Sequence, residues 1–264
     1  MVFLITLFFF AFGLIIGSFL NVVICRLNTS RSLGGRSACM SCQSQLCWYE
    51  LIPFFSFLGL RGRCRTCQTN ISIQYPIVEL ITGVVFAILF IKFSQGILYP
   101  DLSFIASYLY YAVMFSILIV VMGYDFKHKI IPDSLSLIFG ILAFVGMFFF
   151  NQFGSFHFQV PSILELLSGV FVALPFALLW LVSRGAWMGL GDAKLALGLG
   201  WFLGLAVGLS GLVLAFWIGT IVGVGLIVFK KGYGMKSEIP FAPYLVLGAF
   251  IAFILELNLF SIYL

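Results

Sequence analysis

The 264-residue chain is 62% hydrophobic and 9% charged, with a mean hydropathy of +1.18 and a formal net charge of +5. Soluble domains carry about 25% charged residues, and 32 phenylalanines are more than a water-soluble particle of this size can hide. A soluble enzyme is therefore excluded, and the composition indicates an all-α polytopic membrane protein.

The first apolar run, 2–24, lacks a basic leading region and a small-residue cleavage site. It is expected to be a retained helix rather than a removed signal. The polar segment 25–75 follows as the one substantial soluble feature. Further apolar runs at 77–98, 103–122, 131–150, 163–182, 193–208, 211–229 and 240–257 bring the expected number of transmembrane helices to about eight. Each is close to the roughly 20 residues that span a bilayer. Gly208, Ser210 and Gly211 are the expected turn formers within 193–229. The chain thus divides into a first helix (1–24), a cysteine-bearing loop (25–75) and a seven-helix membrane core (76–264).

Basic residues set the orientation. Arg26, Arg31, Arg36, Arg61, Arg63 and Arg65 fall in the first loop, and Lys127 and Lys129 in the third. Arg184 and Lys194 flank the fifth, and Lys230, Lys231 and Lys236 lie in the seventh; the intervening loops carry little beyond Lys92. Under the positive-inside rule the odd-numbered loops are cytoplasmic. An even number of passes must then join 184–194 to 230–236, which eight spans satisfy.

Within the first loop, Cys39 and Cys42 are followed by Cys64 and Cys67, two C-x-x-C pairs. This number and spacing match a structural four-thiolate zinc site. A cytoplasmic setting argues against disulfides, and a loop with little core can take its folding energy from a metal. The alternative is four reduced cysteines without metal. Cys25 is expected to pack, and Cys47 to be a spare thiol or alternative ligand. Four thiolates leave no open position for water, so the metal would organise rather than cleave. The basic run Arg61–Arg65 could hold anionic lipid headgroups or enforce topology. No folded nucleic-acid-binding module accompanies it.

Asp125, in MGYDFKHKIIPD, and Asp192, in WMGLGDAKLALG, both lie at breaks between apolar segments. Ionisable groups near a bilayer core are costly and mark functional candidates. The topology puts both on one face. Two close carboxylates cannot both ionise cheaply, so one keeps its proton while the other acts as a base toward water. The plainer alternative is that each caps a helix or pairs with Lys127, Lys129 or Lys194. Gly189 and Gly191 either let the backbone approach a substrate or only turn the chain into the next helix. Pro132 is expected in the first turn of the following helix, and Asp133 is either a third catalytic candidate or, as the plainer reading, a partner of that helix's dipole. His128 and His157 define no catalytic triad.

These features closely resemble the type IV prepilin leader peptidases. The resemblance rests on the G-x-G-D string Gly189–Asp192, on GSFLNVVICR (Gly17 to Arg26), both C-x-x-C pairs, Ile52-Pro53 and RGRCR. It continues through YPIVE (Tyr75 to Glu79) and the stretch from Asp125 to Asp133. It implies a bacterial inner (plasma) membrane enzyme with Asp125 and Asp192 as catalytic residues near the cytoplasmic face. It further implies cleavage of the basic leader of prepilins or pseudopilins after glycine, followed by N-methylation of the new terminal residue, commonly phenylalanine, with S-adenosylmethionine. Glu50 and Glu79 are candidates to bind a substrate ammonium, or else they pair with loop arginines. Met40, Gln74 and Ala242 depart from the family pattern, which commonly has proline, arginine and glycine there. The alternatives are a peptidase without methylation, a scaffold, and a transporter using the aspartates as a proton relay; a transporter would favour midplane carboxylates and an internal repeat.

Overall fold

The computed structural model describes residues 2–29, 32, 34–94, 101–150, 156–229 and 239–260. Arg31, Lys230, Lys231 and Lys236, used above for orientation, lie outside the described residues. Among the described residues the regular structure is helical, with three isolated β-bridges and no strand. The helices are α1 (Val2–Arg26), α2 (Phe55–Gly59), α3 (Gln74–Ser94), α4 (Leu102–His128), α5 (Asp133–Gly146), α6 (Ile163–Ser183), α7 (Leu190–Phe229) and α8 (Ala242–Ile254), with a 3-10 turn at Trp48–Leu51. The chain divides into two compact units, Met1–Gln95 and Gly96–Leu264.

Five helices (α1, α3, α4, α6 and α7) are long and apolar enough to cross a membrane, which agrees with a polytopic membrane protein. The expected spans 131–150 and 240–257 contain the shorter apolar helices α5 and α8, of 14 and 13 residues. At 1.5 Å per residue these reach only about 20 Å, less than the roughly 30 Å hydrocarbon layer.

In the first unit, α1 packs along α3 because glycines let the backbones meet. A Cβ on Gly13 would lie 2.8 Å from Gly83 Cα, and one on Gly17 would lie 2.7 Å from Glu79 Cα. Small residues four apart are the usual means of close approach between membrane helices. The opposite side of α1 exposes Phe8, Ile15 and Phe19, as a lipid-facing surface does.

In the second unit, the Asp101 side chain caps α4 by accepting the Phe104 N–H at 2.8 Å. The helix then buries Tyr111, Phe115 and Leu118 against its neighbours. Tyr111 stacks on Phe253 of α8 at 4.5 Å, and Phe115 meets Phe202 of α7 edge-on at 5.4 Å. Offset and edge-to-face pairs of this kind add to the burial of their rings.

A continuous 40-residue helix would be about 60 Å long, twice the membrane core, and α7 is not continuous. Gly204 breaks it at φ 75° and ψ 174°. A Cβ on Gly208 would lie 3.6 Å from Gly200 Cα, although a straight helix separates residues eight apart by about 12 Å. The chain therefore doubles back at Gly204. The expected turn at Gly208, Ser210 and Gly211 is corrected: those residues are helical, and Gly208 packs against the preceding arm. The Gly204 backbone occupies a region essentially restricted to glycine. Gly204→Ala is expected to cost about 1–3 kcal/mol, visible as a lower melting temperature of the purified protein in detergent; an unchanged melt would count against the hairpin.

Candidate functional site

The loop of the first unit is built from two matching knuckles. Ala38 bridges Gln45 in one, and Arg63 bridges Asn70 in the other. In the first, the Cys39 N–H donates to Ser44 C=O at 3.0 Å and the Gln43 N–H to Cys39 C=O at 3.0 Å. In the second, Cys64 donates to Thr69 C=O at 2.9 Å and Gln68 to Cys64 C=O at 3.0 Å. Gln43 and Gln68 both sit at φ 57°, the left-handed position that closes each turn.

These turns bring the Cys39, Cys42, Cys64 and Cys67 sulfurs within 4.8 Å of one another. Cys39 Sγ and Cys67 Sγ are 3.8 Å apart. A tetrahedral zinc with bonds of about 2.3 Å separates its sulfurs by about 3.8 Å, so the four thiols fit a metal. Hydroxyl groups support them: Cys42 Sγ lies 3.0 Å from Ser44 Oγ, and Cys67 Sγ 3.2 Å from Thr69 Oγ1. The Ser44 hydroxyl holds the Cys42 thiol below its ordinary pKa, and Thr69 does the same for Cys67. Cys64 is lowered first by the Cys67 backbone N–H. These three shifts favour the thiolate that a metal requires, whereas Cys39 is shifted upward: the lowering bonds from the Cys42 and Ser41 backbone are outweighed by burial and the neighbouring Cys42 and Cys64 thiols. Cys25 lies apart, 3.6 Å from Tyr75 Oη, and Cys47 meets the Arg65 guanidinium at 3.7 Å. The matching strings C-x-x-C-Q-S-Q and C-x-x-C-Q-T-N carry the signal for Ser44 and Thr69, which the ligand spacing alone does not reveal.

The second unit brings Asp125 and Asp192 together. Asp125 lies in the last turn of α4, closed by Lys129 at φ 56°, whose N–H donates to Asp125 C=O at 2.7 Å. Its Oδ2 accepts the Ala242 N–H, at the start of α8, at 3.1 Å. Asp192 occupies the first turn of α7. Both residues are buried, and Asp192 lies within coulombic reach of Asp125. Helix N-termini complement negative charge, so α7 and α8 supply partners where a second buried carboxylate would otherwise be repelled.

Gly191 sets this approach. A Cβ there would lie 3.0 Å from Ile131 Cβ, so the start of α7 packs closely on the α4–α5 connection. Lys194 bonds Asp133 at 2.7 Å. Asp133 is in the first turn of α5, as expected, while Pro132 caps that helix from just outside its first turn. The His128 ring lies 4.4 Å from the Tyr124 ring. Ala242 keeps its N–H on Asp125 with its side chain fully buried. This contact spans 117 positions, and no local pattern announces it.

Of the two candidate glutamates, Glu50 takes the plainer role. It lies 3.5 Å from Arg65 Nε and accepts the Cys47 N–H at 2.7 Å. Glu79 does not pair with a loop arginine among the described residues. Its Oε2 accepts the Phe54 N–H at 2.7 Å, and Ser18 also bonds to it.

Residues 11–93 match the model of the Bacterial Peptidase A24 N-terminal domain, and residues 112–224 that of the Type IV leader peptidase family. The chain is 33% identical to the prepilin leader peptidase/N-methyltransferase of Aeromonas hydrophila, over 92% of this chain and 88% of that one. The chain belongs to this family. The similarly named proteins of Myxococcus xanthus (34% identical, 89% of this chain, 67% of that one) and Bacillus subtilis (30%, 96% of each) extend the match. No solved structure matches significantly. The two family models of the prepilin leader peptidases fall one within each unit.

Loss of an outer partner of a metal ligand typically costs about 10–100-fold in metal affinity. Ser44→Ala and Thr69→Val are expected to weaken zinc binding by about tenfold, and Cys64→Ser by more. Chelator competition and zinc per chain in the purified protein measure this. Equal zinc retention by wild type and Cys64→Ser would remove the four-thiolate centre.

Proposed function

We propose that this prepilin leader peptidase/N-methyltransferase cuts prepilins or pseudopilins with Asp125 and Asp192 as its catalytic pair. The observation that carries the reading is the burial of both carboxylates within coulombic reach, Asp192 in the first turn of α7 and Asp125 at the end of α4, accepting the first N–H of α8. One carboxylate takes a proton from water as that water attacks the peptide carbonyl after glycine. The protonated partner hydrogen-bonds the carbonyl oxygen, and a proton then passes to the leaving amine. The two acids titrate as one dyad.

The setting we infer is a bacterial inner membrane crossed about eight times, with the hairpin at Gly204 supplying two passes and the site near the cytoplasmic face. The cysteine loop on that face holds structural zinc, and its arginines meet anionic lipid headgroups. S-adenosylmethionine supplies the methyl group to the new N-terminal amine. Buried acceptor groups suited to a cation, the Glu79 carboxylate and Asn21 Oδ1, occur on the packed helices α3 and α1 of the first unit.

The test is cleavage of a pilin-like precursor by Asp125→Asn and Asp192→Asn. Each variant should insert normally yet cleave at least about 100-fold more slowly, the ordinary scale of a lost acid–base group. Turnover like that of the wild type, by either correctly inserted variant, would rule the pair out.

A further inference from the structure

Glu79 is 7% exposed within an apolar helix, and no basic side chain among the described residues pairs with it. An intramembrane carboxylate is costly, and a glutamine could accept the Phe54 N–H equally well. Capping that N–H therefore does not account for an acid here. Phe54 itself is held at φ 61° and ψ −51°. A bulky residue with positive φ is a genuine outlier, and such strain collects at ligand clamps.

A second, independent feature stands one turn away. Asn21 is 1% exposed, and its Oδ1 is buried without a hydrogen-bond partner among the described residues. Its Nδ2 donates to Tyr75 C=O at 3.0 Å, the carbonyl at which the helical bond from the Glu79 N–H also ends. Gly17, one turn before Asn21, lies against Glu79 Cα. The Asn21 amide and the Glu79 carboxylate thus share the α1–α3 contact. A lone buried acceptor costs about 1–3 kcal/mol, and together with a buried carboxylate on the same helix contact it calls for a group that is both cationic and rich in N–H donors. A primary ammonium has both properties. A sulfonium has the charge but no donor on its sulfur.

We propose that Glu79 and Asn21 bind the N-terminal ammonium created by cleavage, and so hold the methyl acceptor. This rests on the N-methyltransferase reading above. Glu79 supplies the charge, Asn21 Oδ1 a second acceptor, and the strained Phe54 N–H fixes the carboxylate.

The test uses the full-length enzyme and a labelled product peptide beginning with phenylalanine, its amine free or acetylated, without methyl donor. Wild type should bind the free amine about 10–100-fold tighter, the scale of a hydrogen bond to a charged group. Glu79→Gln and Asn21→Leu should abolish that preference, and Glu79→Asp should keep part of it. A wild-type-like melting temperature and zinc content show which variants are folded. If Glu79→Gln fails to fold, Glu79→Asp and Asn21→Leu decide. A preference that survives in the folded variants overturns the site, as does loss of S-adenosylmethionine binding with the amine preference intact. If wild type with donor supplied leaves its product unmethylated, the methyltransferase reading fails instead, and the binding preference still judges the site.

Discussion

A backbone N–H withdrawn from water without an acceptor costs about as much as a lost hydrogen bond, and a buried carboxylate in each unit accepts one N–H. Asp125 accepts from Ala242 where α8 begins, and Glu79 accepts from Phe54 where the loop returns to α3. Each acid therefore has a structural role besides any chemical one. This is why the amides are the informative replacements: asparagine or glutamine keeps an oxygen for the N–H while removing the charge. Alanine would remove both and confuse loss of fold with loss of chemistry.

Much of the fold was legible because lipid-facing helices report themselves through composition. The runs that became α1, α3, α4 and α6 lie close to the expected spans. The reversal in α7 was misplaced for a physical reason. Gly204, Gly208 and Gly211 are equivalent in composition, but only Gly204 adopts the backbone that turns the chain. The others serve contact, Gly208 with Gly200 and Gly211 with Ala249. A glycine needed for a turn and one needed for close packing look alike in sequence.

The candidate site divides in the same way. Charge in an apolar context singled out Asp125 and Asp192, and spacing singled out the four cysteines. What holds them was hidden. The Ala242 N–H comes from far along the chain, and the contact of Gly191 with Ile131 depends on how two loops cross. Ser44 and Thr69 occupy a middle position. They were visible only by aligning the two knuckles with each other, because each hydroxyl sits two residues beyond its C-x-x-C pair.

The four-cysteine cluster and the proposed amine site share a loop that lacks a core. Across 27–73, Cys64 is the one buried residue among those described. Trp48, Phe55 and Leu58 are exposed, so apolar burial cannot account for the order of this segment. A bound metal supplies folding energy where a core does not. Phe54 lies between the two knuckles, in a backbone conformation that persists only when its surroundings enforce it. A metal held by the four cysteines would close the knuckles on either side of Phe54 in the chain. It would take no part in bond breaking; its role would be to order the loop whose Phe54 N–H meets Glu79.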